Sequence, residues 1–253
     1  MRFMEKIHIL GVGITQISKK EILESVKNRL NTKFFGKPVI IFTPNPEILV
    51  LAYKDNKFRD LLNTADFTIP DGFGLLLASG FRIRKRITGT DFMMDLCKMA
   101  GRNGFTIGLL GGKDGTAKKT AEVLKKNCPG LNIVFAVEDL NRLDSLGGLK
   151  RKSVDFLFVA MGAPKQERLL YTLKQQAMVK RQLYYKVGMG VGGAFDMICG
   201  KTKRAPLFMR NVGLEWLWRL ILEPLRIRRI ATAILVFPAL LAWSKIRKLE
   251  TNI

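Results

Sequence analysis

The run from Val154 to Ala160, VDFLFVA, is almost continuously apolar, and it constrains the fold more than any other stretch. A strand with one wet face alternates apolar and polar residues; a strand without that alternation is buried on both faces. Burial on both faces requires a sheet with helices packed above and below it.

The rest of the chain supplies those helices. Short apolar runs alternate with amphipathic ones: KIHILGVGI then KKEILESVKNRL, VIIFTPN then PEILVLAYKDNKFRDLLNTA, FTIPDG then a glycine-rich segment, FTIGLLGG then DGTAKKTAEVLKKN. LNIVFAV, VDFLFVAMGAP and YYKVGMGVGGAFD complete the series. This cadence predicts an α/β fold with a mostly parallel sheet and helices on both faces. KIHILGVGI reads as strand one; it lacks the long apolar core and small-residue cleavage site of a secretory signal. No internal repeat or low-complexity tract interrupts the pattern. At 253 residues there is room for one large α/β domain or two small ones.

The composition changes near Lys201 to Pro206. Residues 1–200 form the predicted catalytic body, and residues 201–253 a helical, basic, membrane-associating appendage. The appendage carries EWLWR (Glu215 to Arg219), EPLRIRR (Glu223 to Arg229) and an apolar run, Ile230 to Trp243. Arginines suit phosphate oxygens and tryptophans suit the headgroup level of a bilayer, so this mixture fits an anionic membrane surface. The apolar part of Ile230 to Leu241 is about twelve residues long and contains Pro238, short of the ~20 that span a bilayer. It is expected to lie at an interface or dock on another surface.

The formal net charge is +22, and from Lys201 onward eleven Lys/Arg stand against three Glu. Such a balance suits nucleic acid, an anionic membrane or a solubilising surface. A nucleic-acid-binding module, the rival from a different class, needs basic residues interleaved with exposed aromatics on a reading element. The aromatics here lie inside apolar runs, and no helix-turn-helix, RNP or zinc pattern is present, so no nucleic-acid partner is expected. Cys97, Cys128 and Cys199 have no paired spacing and His8 is the only histidine, which argues against a metal centre. The thiols read as buried small apolar residues in a reducing compartment.

In parallel sheets, ligands bind beyond the carboxyl ends of the strands. Five such ends carry polar or glycine residues: Thr43 to Glu47, Pro70-Asp71-Gly72, Gly111-Gly112, Met161 to Glu167, and Gly190 to Asp196. Each has an ordinary explanation. Thr43 and Asn45 suit helix caps, Asp71 a Pro-Asp-Gly turn, the glycines tight turns, Glu167 a helix start, and Arg84-Lys85-Arg86 a solvated face. Asp91 and Asp95 lie four apart on a predicted helix, without further ligands that would make a metal site. Five adjacent ends together read as a constellation. Gly11-Val12-Gly13 lacks the third glycine of a dinucleotide loop, which argues against a Rossmann oxidoreductase. Asp-x-Asp is absent, so a leaving diphosphate must be neutralised by arginines and helix N-termini.

TPNPE, ADFTIPDG, GLLGG, GAPKQE, VGGAFD, KRAP and EWLWRLILEPLRIRR, running from Thr43 to Arg229, together resemble the WecG/TagA/CpsF glycosyltransferase family. The resemblance implies a Rossmann-like fold and an inverting, metal-independent transfer of N-acetylmannosamine from a UDP donor, with no cofactor. The implied acceptor is N-acetylglucosamine on undecaprenyl diphosphate, and the implied pathway is synthesis of wall teichoic acid linkage units. Another UDP-sugar, a ManNAc uronic acid or a hexose, serving a different surface polysaccharide is the alternative within the family. The enzyme is expected in the cytoplasm, peripheral on the inner face of the plasma membrane; a homo-oligomer is left open.

Residue by residue, the resemblance makes Asp71 the catalytic base, with Thr43 and Asn45 near the reacting sugar. It assigns Gln166 to the pocket and Gly111, Gly112, Gly192 and Gly193 to the nucleotide side. Arg86 matches the basic residue before the Thr88-Gly89 pair. Arg219, Arg226 and Arg229 match the arginines of the appendage; on a helix Arg219 and Arg226 share a face, and Pro224 bends the path. The run GMGVGG, Gly188 to Gly193, departs from the simpler VGG of the family.

Overall fold

The computed structural model describes residues 5–31, 37–83, 86–139, 153–176 and 183–250. Arg84 and Lys85 of the basic triplet lie outside them. Six strands form one sheet: β3 (Val39–Phe42), β4 (Phe67–Thr68), β5 (Thr106–Gly111), β6 (Asn132–Val137), β7 (Ser153–Ala160) and β8 (Tyr184–Gly190). Their order is β4-β3-β8-β7-β5-β6, and every pairing is parallel. The α/β expectation holds, with a wholly parallel main sheet.

The two faces follow from strand alternation. In β7, Leu157 and Val159 point into one core while Phe156 and Phe158 point into the other. Asp155, the one polar residue of the run, accepts from Thr106 N and Oγ1 at 2.8 and 2.9 Å and pairs with Lys186 at 2.8 Å. One face is covered by α1 (Lys19–Asn31), α5 (Gly89–Asn103), α6 (Thr116–Asn127) and α8 (Ala194–Ile198). The other is covered by α2 (Pro46–Lys54), α3 (Asn56–Asn63), α4 (Phe73–Ala78) and α7 (Lys165–Gln176). Cys97 and Cys128 are buried as expected, but Cys199 is only partly so.

The N-terminal segment corrects the sequence reading. KIHILGVGI is two strands, β1 (Lys6–Ile9) and β2 (Val12–Thr15), paired antiparallel outside the main sheet. Leu10 and Gly11 both adopt positive φ, 49° and 81°, which turns the chain within two residues. The hairpin sits beside the short edge strand β4, where Thr68 N donates to Thr15 Oγ1 at 2.8 Å.

Beyond α8 the chain is helical: α9 (Leu207–Asn211), α10 (Glu215–Leu222), a 3₁₀ turn Pro224–Arg226, α11 (Ile227–Ala231), a π-helical turn Thr232–Val236 and α12 (Phe237–Glu250). Glu223, with φ −134° and ψ 72°, breaks the helix before Pro224, so Arg219 and Arg226 lie on separate helical segments. These segments fold back over the carboxyl ends of the strands. Phe237, only 2 % exposed, anchors them in the core shared with α2 and α4.

Candidate active site

The loops after β3, β4, β5, β7 and β8 line a single cleft, and the C-terminal helices supply its opposite wall. Its volume is about 1570 Å³. A small-molecule pocket holds roughly 300–1,000 Å³, so there is room for two substrates side by side.

Asp71 and Thr43 meet on the floor. Thr43 Oγ1 donates to the Gly190 carbonyl at 3.1 Å, tying the end of β3 to the end of β8. Asp71 Oδ2 accepts from Gly89 N at 3.4 Å, at the first residue of α5. A Cβ on Gly89 would lie 3.3 Å from Thr43 Oγ1 and 3.5 Å from Asp71 Oδ2, so the glycine lets both side chains converge. Asp71 opens to the cleft but is ringed by protein. Burial pushes its carboxyl up to about 6; Glu215 adds to the shift, while Arg86 and Arg219 oppose it.

Asn45 also lines the cleft, but its Oδ1 caps α2 by accepting from Ile48 N at 2.9 Å. The cap and the site thus use the same residue. Pro46 follows at the first helical position, where its missing N–H costs nothing.

The two glycines after β5 have different places. Gly112 lines the cleft, whereas Gly111 is buried against β7, where a Cβ would stand 2.5 Å from the Ala160 carbonyl oxygen. Its φ of 112° excludes other residues as well. Gln166 is buried and acts as a strut: Oε1 accepts from Gly192 N at 2.9 Å and Nε2 donates to Glu167 Oε1 at 2.8 Å. Burial raises the Glu167 pKa against that hydrogen bond. Gly192 and Gly193 both face the cleft.

The opposite wall is cationic. Arg86, Arg219, Arg226 and Arg229 all line the cleft. Arg86 Nη2 lies 3.5 Å from Glu215 Oε2, Arg226 pairs with Glu223, and Arg229 Nε donates to Glu47 Oε1 at 2.7 Å. Burial lowers the Arg219 pKa, countered chiefly by Glu215. Acids of both the body and the appendage therefore hold these arginines in place.

Sequence reasoning missed Arg204, Lys113 and Glu215 as members of this cleft. Arg204 sits in the KRAP string, but its partner, Asp91 Oδ1 at 2.7 Å, is 113 residues away. Asp91 is thereby an arginine partner and Asp95 pairs with Lys19, so the two do not form a carboxylate pair for a metal. Among the described residues, no three His, Cys, Asp or Glu side chains converge as a metal site.

The cleft can hold a phosphate-bearing ligand between arginines and glycine turns, with a carboxylate of raised pKa beside it. The profile of the Glycosyl transferase WecG/TagA/CpsF family matches residues 7–251. The chain is 34% identical over 197 residues to an N-acetylglucosaminyldiphosphoundecaprenol N-acetyl-beta-D-mannosaminyltransferase of Bacillus subtilis (strain 168), across 76% of this chain and 74% of that one. It is 30% identical over 252 residues to the protein of the same name in Staphylococcus aureus (strain MRSA252), across 96% and 95% of the two chains. With a match of that extent, and with its quoted motifs gathered around one cleft, this chain belongs to the WecG/TagA/CpsF glycosyltransferase family.

Proposed function

We propose that this enzyme transfers N-acetylmannosamine from UDP-N-acetylmannosamine to N-acetylglucosamine on undecaprenyl diphosphate, in synthesis of the wall teichoic acid linkage unit. The two relatives carry the acceptor and the transferred sugar in their names. The observation that carries the reading is that Asp71 shares one cleft with Arg86 of the body and with Arg219, Arg226 and Arg229 of the C-terminal helices.

The acceptor hydroxyl attacks the anomeric carbon of the donor as its bond to UDP breaks. Asp71 takes the hydroxyl proton, with Thr43 and Asn45 orienting the sugars. The departing charge develops on the β-phosphate of UDP. Arg219 neutralises it, while Arg226 and Arg229 hold the acceptor's own diphosphate. A single displacement inverts the anomeric centre. A pKa near 6 leaves Asp71 ionised at neutral pH, yet makes it a better proton acceptor than an ordinary aspartate.

Residues 201–253 act as the wall that completes this site and as its contact with an anionic membrane. Leu225 is 98 % exposed, and Phe208, Ile221, Trp243 and Ile246 are exposed elsewhere in the C-terminal helices, alongside exposed Arg228. Exposed apolar and basic side chains spread over these C-terminal helices suit peripheral binding. No helix among the described residues is long and apolar enough to cross a membrane.

The test is mass spectrometry of a lipid-diphosphate-N-acetylglucosamine acceptor incubated with a panel of UDP-sugars. One N-acetylhexosamine should be added from UDP-N-acetylmannosamine. No product from any UDP-sugar would reject the activity, and product from a different donor alone would reassign it.

A further inference from the structure

The cleft does not end at the arginines. Past Arg229 it continues between α2 and α4 on one side and the π-helical turn and α12 on the other. There the walls turn apolar: Leu51, Leu77, Ile230, Ala233, Phe237 and Leu241. Leu51 and Leu77 are 38 % and 53 % exposed, although both belong to helices packed on the body. Apolar side chains left open along a groove mark a binding surface.

The arm is built on fixed parts. A Cβ on Gly74 would stand 2.8 Å from Pro46 and 3.7 Å from the Phe237 ring, so this glycine lets α4, α2 and α12 close on one another. The π-helical turn Thr232–Val236, a form that often marks functional sites, brings Ala233 and Ile234 to the wall. The Arg229–Glu47 pair stands at the junction of the polar and apolar ends.

We propose that the apolar arm receives the first isoprene units of the acceptor's polyprenyl chain, with the diphosphate at Arg226 and Arg229. The proposal rests on the acceptor reading above and adds where the chain lies: between α2 and α12, drawn out of the bilayer. Charge complementarity selects this occupant. A ligand that fills both ends carries an anion joined directly to an apolar chain. A UDP-sugar is polar throughout and would leave Leu51 and Leu77 facing polar groups.

Two measurements on the full chain test it, in the absence of membrane. The first is calorimetric binding of farnesyl diphosphate against inorganic diphosphate. Farnesyl diphosphate should bind at least ~10-fold tighter, because apolar burial adds to the same charge contact. In Ala233→Trp, with its fold checked by circular dichroism, the ratio of the two affinities should fall towards one. Equal affinities in the unaltered enzyme overturn the proposal.

The second measurement needs no variant. A farnesyl diphosphate with a diazirine on its terminal unit is photolysed on the enzyme, and the labels are mapped by mass spectrometry. Labels on α2, α4 and the cleft-lining positions of α12, Pro238 to Ala242, support the arm; labels confined to Leu225, Trp243 and the outer helical surface overturn it. Tight farnesyl diphosphate binding with α2 and α12 labelled, but no sugar transfer from any donor, would uphold the arm and reject the glycosyl-transfer reading instead.

Discussion

Gly89 N donates to Asp71 Oδ2 over 3.4 Å, so the first residue of α5 carries the Asp71 carboxylate beside Thr43. The hydrogen bond favours the ionised form, but burial and Glu215 outweigh it, and the carboxyl sits at about 6 against an ordinary 3.8. Stability from a raised carboxyl is fully present below the unfolded value and is lost as pH rises through about 6. Above that the ionised group costs roughly 2–3 kcal/mol. Asp71→Asn should therefore raise Tm at pH 7.5, match the unaltered enzyme near pH 3.5, and cut turnover by ~100-fold or more. In the unaltered enzyme kcat/KM should climb with a midpoint near pH 6. A folded variant with normal turnover removes Asp71 from the chemistry.

Among the arginines, Arg226→Ala and Arg229→Ala should each lower turnover by ~10-fold or more while changing stability by at most ~1 kcal/mol, because their ion pairs are partly exposed. Arg219→Ala should in addition shift the kcat/KM midpoint upward, since Arg219 lowers the Asp71 pKa. An unmoved midpoint would separate the two residues electrostatically.

EDTA should leave activity intact. The prediction rests on the absence of Asp-x-Asp from the sequence and on the arginine wall that faces the glycine turns. Inhibition by EDTA that magnesium or manganese reverses would contradict it.

Truncation after Lys201 should give a folded body that still binds UDP but turns over poorly and no longer pellets with anionic liposomes. Pelleting of the full chain should weaken with added salt. Full activity of the truncated protein on lipid-linked acceptor would make the appendage a solvated tail.

Gly111→Ala and Gly193→Ala should behave oppositely. The first places a Cβ 2.5 Å from the Ala160 carbonyl at a φ of 112° and should cost roughly 1–3 kcal/mol or more in chemical denaturation. The second meets nothing within 4 Å and has an ordinary φ of −82°, so it should fold normally. Any effect at Gly193 then belongs to substrate binding and shows in KM.

The parallel sheet was legible because two-sided burial leaves a local mark, as in Phe156 to Val159. The sequential loops were legible too, since each polar group directly follows an apolar run. What escaped was held by contacts distant in sequence. Nothing near Arg204 announces Asp91, and nothing in EWLWR announces that Glu215 faces Arg86. Leu10 at φ 49° is an uncommon turn residue, so the hairpin read as one strand. Gly111 and Gly112 look alike in sequence, and only the β5–β7 pairing tells the packed glycine from the one facing the cleft.

The cleft takes its floor from strand ends finished by Gly190 and three of its four arginines from helices that follow. On the ribosome these arrive in that order. At ~5–20 residues per second, roughly 2–8 s separate Gly190 from Arg229. For that interval a nascent chain can hold Thr43 and Asp71 together with Arg86 but without Arg219, Arg226 and Arg229. Synthesis itself thus delays the assembly of a reactive site, and a chain stalled in that window would present the acid with one of its four arginines.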